Sequence, residues 1–97
     1  MMGGMADPKT KAELDRVLSR LRDEVGRLEK THADDAKTIS AFAELSAHEA
    51  TRARPRPEVR EIALKGLQQS VREFEDSHPQ LVEVVGTLSS ILSSFGL

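Results

Sequence analysis

Several residue types are missing or scarce in this chain of 97 residues, and each absence excludes a class of structure or chemistry. Cysteine is absent, which removes disulfides, thiolate catalysis and cysteine-based metal sites and fits a reducing compartment such as the cytoplasm. Tryptophan and tyrosine are also absent, so leucine, valine and isoleucine must build the core. No apolar run reaches the roughly 18 residues of a membrane span. The first ten residues lack the basic and apolar regions of a secretory signal. We therefore expect a cytoplasmic protein without a membrane segment.

Positive charge is missing from the last part of the chain, because no Lys or Arg follows Arg72. The net charge is −2, so no overall field attracts nucleic acid or anionic lipid. Charged residues make up 31% and apolar residues 38% of the chain. With so few aromatic residues, this balance favours long solvated helices over a β fold. The length suits a single domain with one modest core.

The first half of the chain shows apolar residues at heptad spacing, which predicts a helix over about 9–30. Asp7 is a suitable N-cap, and Pro8 suits the first helical position. Residues 1–8 are predicted to be a disordered N-terminus. Steps of four and three residues form a narrow seam that packs against another helix, as in a coiled coil. The seam residues are Leu14, Leu18, Leu21, Val25 and Leu28.

Polar residues interrupt this seam at 31–35. Either the first helix ends here and a second begins, or one long helix carries a polar patch; we favour the break. The second helix, over about 36–50, is rich in alanine. The segment "TRARPRP" at 51–57 follows, and its two prolines force extended backbone on the residues before them. We predict one helical domain over 1–97 in which this segment links two helical halves.

The second half of the chain predicts two more helices. Helix 3 begins at about 57–58 and repeats the heptad spacing, with Gly66 as a weak point or a site of close approach. Its seam residues are Leu64, Leu67, Val71 and Phe74. Helix 4, over about 79–95, has a wide apolar face and almost no charge, so packing must hold it. The packing residues of helix 4 are Leu81, Val85, Leu88, Leu92 and Phe95.

The tripeptide Ser77-His78-Pro79 separates helices 3 and 4. Ser77 is predicted to be the N-cap of helix 4, with Pro79 in the first turn and Gln80 completing a Ser-x-x-Gln capping box. His78 precedes a proline, so its backbone is disfavoured in the α region and helix 3 should bend or stop there. Asp76, Ser77 and His78 are also the residue types of a hydrolase triad, but adjacent residues cannot adopt its geometry. We interpret the tripeptide as a helix boundary and predict no catalytic residue.

The stretch from Leu67 to Leu97 resembles a small bacterial family, domain of unknown function 4404. The family pattern has a Phe-Glu-x-Ser-His-Pro core and a final apolar helix that ends in glycine and one aliphatic residue. The matching residues are Phe74, Glu75, Ser77, His78, Pro79, Leu81, Gly96 and Leu97. Helix 1 fits more loosely, and residues 31–57 match nothing in the pattern. The resemblance implies a small soluble bacterial helical protein and supports the break before helix 4, without implying an activity.

Metal and cofactor sites are not predicted. The candidate ligands show no helical His-x-x-x-His or Glu-x-x-His spacing that would point two of them in one direction. These candidates are His32, Asp34, Asp35, His48 and Glu49. A glycine-rich phosphate loop and a paired-carboxylate site are also missing, so we do not expect an enzyme.

The arginines of the linker, Arg52, Arg54 and Arg56, are candidates for contact with phosphate or another anion. Basic residues neutralise nucleic-acid phosphates best as part of a larger patch. Neighbouring acidic residues weaken the field of these three; they are Glu49, Glu58 and Glu61. We interpret the segment as a solvated linker and keep anion contact as the alternative.

These observations predict an all-α protein of three or four helices, with helices 1 and 3 antiparallel and helix 4 packed on them or on a neighbour. The seams and the wide face of helix 4 suggest more apolar surface than one short chain covers. We therefore predict a homodimer that completes a bundle of the four-helix kind. The predicted function is non-enzymatic, structural or protein-binding, with the chain itself or another protein as partner. The alternative is a nucleic-acid-associated protein that uses the linker arginines.

Overall fold

A computed structural model describes residues 8–95, with side chains from Thr10 onward, and shows four α-helices. The helices are α1 (Pro8–Glu29), α2 (Ala33–Thr51), α3 (Pro57–Val71) and α4 (Pro79–Phe95), and a short 3₁₀ helix, Arg72–Phe74, extends α3. Residues 8–95 contain no strand, and the predicted all-α class is confirmed.

Prolines mark the starts of three helices, because a proline at the first helical position lacks only an N–H that would have no partner there. Pro8, Pro57 and Pro79 are the first residues of α1, α3 and α4. The sequence predicted Pro8 at the first helical position, and the structure confirms this, although the segment 1–8 that was predicted to be disordered included it. Residues 1–7, with the predicted cap Asp7, and residues 96–97 lie outside the described part of the chain.

The break between the first two helices is present, and it is shorter than the sequence predicts. The amides of Thr31 and His32 both bond the carbonyl of Leu28 and close α1, at 3.1 and 2.8 Å. The carbonyl of His32 already accepts from the amide of Ala36 at 2.9 Å, so α2 begins at Ala33. Three residues therefore reverse the chain.

The helices form an up-down-up-down bundle. The short turn after α1 makes α2 antiparallel to it. The ring of Phe42 on α2 packs against Gly66 on α3. Glu49, two turns later on α2, binds Arg56, which comes just before the start of α3. Moving forward along α2 therefore means moving backward along α3, so these two helices are also antiparallel. α4 contacts α1 and α3 and closes the ring. The prediction that helices 1 and 3 are antiparallel is wrong, because each of them runs opposite to α2 and they share one direction.

The core lies along the axis of this bundle. Leu18 and Phe95 are half-buried at its edge, and the other predicted packing residues are buried. These buried residues are Leu14, Leu21, Val25, Leu28, Leu64, Leu67, Val71, Phe74, Leu81, Val85, Leu88 and Leu92. One chain therefore supplies four helices and covers its own seams. Dimerisation remains a prediction, and it now depends on other surfaces.

Close packing of α2 on α3 depends on Gly66. A Cβ atom at this position would lie 2.6 Å from two ring carbons of Phe42, well inside contact distance. The missing side chain lets the Phe42 ring lie directly on the backbone of α3. Of the two readings that the sequence left open for Gly66, close approach is the correct one.

Within residues 8–95, no helix is long and apolar enough to cross a membrane.

Candidate functional site

A buried carboxylate anchors the linker between α2 and α3. Glu49 lies in the last turn of α2 and is only 1% exposed. Arg56 forms a fork on it: Nε donates to Oε1 at 3.1 Å and Nη2 donates to Oε2 at 2.6 Å. Arg52 Nη1 donates to both carboxylate oxygens, at 3.2 and 3.1 Å. Two of the three predicted anion-contacting arginines therefore bind a carboxylate of their own chain.

The two arginines keep this carboxylate ionised. The hydrogen bonds from Arg56 are the largest cause that lowers the pKa of Glu49 from 4.5 to about 2, against the opposing effect of burial. The bonds and charge of Arg52 lower the pKa further, and Glu49 in turn raises the pKa of Arg56. A carboxylate near the negative end of a helix dipole is otherwise unfavourable, and the paired cations offset this.

The remaining arginines of this region differ in their surroundings. Arg54 is exposed and has no hydrogen bond or ion pair within residues 10–95. Arg60, one turn into α3, has buried Nε and Nη1 atoms that find no partner among the described residues. The contacts with Glu49 occupy part of the donors of Arg52 and Arg56 and offset the charge of both side chains. Anion contact stays a prediction, and this internal pairing does not favour it.

The start of α4 differs from the prediction. The carbonyl of His78 accepts from the amides of Leu81 and Val82, at 3.1 and 3.4 Å, so His78 occupies the N-cap position. The prediction of Ser77 as the N-cap is therefore wrong, and Gln80 lies one position too early for a capping box. The cause is Pro79, whose preference for the first helical position sets the cap at the residue before it.

Ser77 instead belongs to one of two matched hydroxyl–histidine pairs. Its Oγ shares a hydrogen bond of 2.9 Å with His78 Nδ1. At the start of α2, Thr31 Oγ1 and His32 Nδ1 share a bond of 2.8 Å in the same way. Both histidines occupy N-cap positions, and both follow the residue that bonds them. Sequence reasoning did not predict these two hydroxyl–histidine contacts, although the sequence shows Thr-His before α2 and Ser-His before α4.

The two histidines meet around one phenylalanine at the same end of the bundle. The ring centroid of Phe74 lies 5.0 Å from that of His32 and 5.8 Å from that of His78, both edge to face. The ring centroids of the two imidazoles are 6.4 Å apart. Phe74 is buried, so these rings cover the end of the core where two interhelical connections come together. No carboxylate bonds either imidazole within residues 10–95, and this part of the chain holds no group of three or more metal-ligating side chains.

An apolar groove runs along the outside of the bundle between α1 and α2. It consists of two adjoining cavities of about 190 and 260 Å³, which share Val25, Ser40 and Glu44. Small residues of α2, Ala43 and Ala47 among them, leave this space unfilled. We call this feature the α1–α2 groove; its lining is Leu18, Leu21, Arg22, Val25, Glu29, Ala36, Lys37, Ser40, Ala41, Ala43, Glu44 and Ala47.

A second apolar surface lies on α2 and α3. Leu45 is 41% and Ile62 is 68% exposed, and they are the large hydrophobic residues that the bundle leaves most open among residues 10–95. Leu45 follows Phe42 by one turn, and Ile62 precedes Gly66 by one turn on the antiparallel helix. Because Phe42 lies on Gly66, Leu45 and Ile62 lie on the same side of the molecule. We call these two residues the Leu45–Ile62 patch.

The chain is thus an all-α protein of the antiparallel four-helix type. It belongs to the family described as domain of unknown function (DUF4404), whose model matches residues 14–97. The predicted resemblance is confirmed, but limiting it to the C-terminal third was too narrow, since the match includes α1 and residues 31–57. No curated protein and no solved structure matches the chain significantly.

Proposed function

We propose that this protein is a helical interaction module that associates with a second copy of itself and has a structural or protein-binding role. The proposed role is not enzymatic. The proposed place of action is the cytoplasm of a bacterium, which suits a chain without cysteine.

One observation carries this proposal: apolar surface stays uncovered after a single chain has closed its own bundle. Ile62 is 68% and Leu45 is 41% exposed, and the α1–α2 groove exposes further apolar lining. Apolar surface that stays open on a small protein with a charged remainder is a candidate site of protein association. The predicted seams no longer support self-association, because they are buried within one chain.

Sedimentation equilibrium on the full chain across the micromolar range tests the proposal. We expect an average mass that rises with concentration from one chain toward two and then levels off. A levelled curve separates a closed dimer from open aggregation, in which the mass keeps rising. A mass of one chain at every concentration would contradict the proposal.

A further inference from the structure

Charged residues on the rim of the α1–α2 groove alternate in sign. Arg22 and Glu29 lie seven residues apart on α1, and therefore on one side of that helix about 10 Å from each other. Lys37 and Glu44 lie at the same separation on α2. Arg22 and Glu44 line one of the two cavities, and Glu29 and Lys37 line the other, which Glu44 also borders. Each charge thus has an opposite charge along its own helix and another across the groove.

A surface with this pattern is complementary to a copy of itself. Consider a two-fold axis parallel to the groove, which sets α1 of one copy on α2 of the other at the same level along the bundle. Arg22 then faces Glu44 of the second copy, and Glu29 faces Lys37 of the second copy. The symmetry makes each of these contacts twice. Opposite charges facing each other across an interface favour the correct partner and the correct register.

The side chains of the two helices also differ in size in a way that suits this arrangement. Leu18 of α1 is half-buried at the edge of the groove, whereas α2 lines it with small residues such as Ser40 and Ala47. Gly26 lies between the two rim charges of α1, and the space where its Cβ would be is open. Large residues of one helix can therefore fill the gaps between small residues of the other, as ridges fill grooves.

The face that contains the groove is large enough for a dimer. The 19 residues of α2 span about 28 Å, and two adjacent helices are about 20 Å across. The resulting face of roughly 600 Å² per copy is at the lower end of standard interfaces, which bury about 800 Å² per partner. The face is therefore large enough for a specific contact between two copies.

From the alternating rim charges, we propose that the α1–α2 groove is the surface through which two copies of this chain associate, with α1 of each copy on α2 of the other. This inference rests on the self-association proposed above and assigns its surface and its symmetry.

Charge reversal on the rim tests the assignment by sedimentation equilibrium. Arg22→Glu places like charges opposite Glu44 twice in the dimer, so we expect the dissociation constant to rise about tenfold or more. Arg16→Glu is the matched control, because it makes the same change at an exposed position of α1 that does not line the groove, and it should leave the constant unchanged. Far-UV circular dichroism of each variant confirms that the bundle is folded.

The double variant Arg22→Glu/Glu44→Arg identifies the symmetry. In the proposed arrangement the reversed charges again face opposite charges, and dimerisation should return to near the wild-type constant. In a crossed arrangement with α1 on α1, Arg22 would face Glu29, and this double variant would stay weak while Arg22→Glu/Glu29→Arg recovered. That second result would overturn the proposed symmetry.

Cross-linking provides a second readout, which is unambiguous because the chain has no cysteine. Ser40→Cys places one thiol in the middle of the groove, and a short bis-maleimide should join two copies efficiently. Ser90→Cys, exposed on α4, is the control and should cross-link only at the background level. Equal cross-linking of the two variants would overturn the assignment.

The failures of the two proposals are distinguishable. A wild-type chain that stays monomeric refutes both. A wild-type dimer that is insensitive to Arg22→Glu and is abolished by Ile62→Glu refutes the groove and leaves self-association standing, with the Leu45–Ile62 patch as its surface.

Discussion

Two residues of this protein show how a single side chain, or its absence, decides local structure. Glu49 is a carboxylate at a buried position that is compatible with charge only because Arg56 and Arg52 surround it. Gly66 has no side chain, and the space is taken by the ring of Phe42. Substituting either residue should change the stability of the folded protein in a way that can be measured.

Replacing Glu49 with Gln should remove the part of the protein's stability that depends on the ionised carboxylate, and that part is lost at acid pH. The folded-state pKa of Glu49 is about 2, below its ordinary value of 4.5. Its stabilising effect is therefore complete above about pH 4.5 and disappears as the pH falls toward 2. We expect Glu49→Gln to lower the melting temperature at neutral pH, with a gap to wild type that narrows across this window.

Thermal melts of both proteins at a series of pH values measure the gap. Glu61→Gln is the control, since Glu61 is exposed and forms no ion pair within residues 10–95. A gap for Glu49→Gln that stays constant from neutral pH down to about 2 would show that the carboxylate charge is not what stabilises the linker.

The substitution Gly66→Ala should destabilise the protein relative to Gly86→Ala. Both glycines lie inside helices, so alanine gains about 1 kcal/mol of helix propensity at each position. Nothing lies within 4 Å of a Cβ at Gly86, whereas at Gly66 it would meet the Phe42 ring. Overpacking of this kind costs about 1–3 kcal/mol, and we expect that difference between the two variants in urea denaturation. Equal stabilities would mean that the ring moves aside freely.

At the scale of elements, the linker between α2 and α3 is held by side chains. Its two prolines remove backbone donors, and its ends are tied by the fork of Arg56 and by the amide of Arg52, which bonds the carbonyl of His48 at 3.0 Å. The sequence predicted the linker from its prolines, but it indicated a solvated segment with free arginines. Arg52 follows Glu49 by three residues, a spacing that brings two side chains together at the end of a helix, and this was the available signal for that contact. Arg56 lies beyond the end of α2, so no helical spacing indicated its contact with Glu49.

Loss of the Arg56 fork should loosen this linker. We expect Arg56→Ala to lower the melting temperature and to speed hydrogen exchange of the Arg52 amide. The melting temperature and exchange rate of Arg56→Lys should lie between those of Arg56→Ala and wild type, because lysine keeps the charge but cannot form the bidentate contact. Arg54→Ala is the matched control in the same segment and should change neither quantity. An Arg54→Ala effect equal to that of Arg56→Ala would show that linker charge, and not the fork, is responsible.

At the scale of the whole molecule, the core is intramolecular. Leu88 is fully buried within one chain, although the sequence assigned it to packing that a second chain would complete. The short reversal between α1 and α2 accounts for the difference, because it brings the alanine-rich α2 into the bundle as a fourth helix. The surfaces left for a partner are consequently on the outside of the bundle.

Leu88→Ala should therefore cost about 2–5 kcal/mol of unfolding free energy at every protein concentration. Ile62→Ala makes a comparable truncation at an exposed position and should change the stability by less than about 0.5 kcal/mol. Chemical denaturation at two widely different concentrations measures both values. A cost of Leu88→Ala that shrinks on dilution would place this residue in an interface between chains.

The sequence alone determined the helical class, most of the residues of α1, α3 and α4 that face the core, and the starts of these three helices at prolines. These features depend on residues within a few turns of each other, so periodicity and backbone geometry are sufficient to predict them. Only the tertiary structure decided that α1 and α3 share a direction, that His32 meets His78 around Phe74, and that Glu49 binds Arg52 and Arg56. These contacts depend on where and how sharply the chain reverses, and the reversals were set by local details, such as the cap at His78 in place of Ser77, that the apolar pattern does not contain.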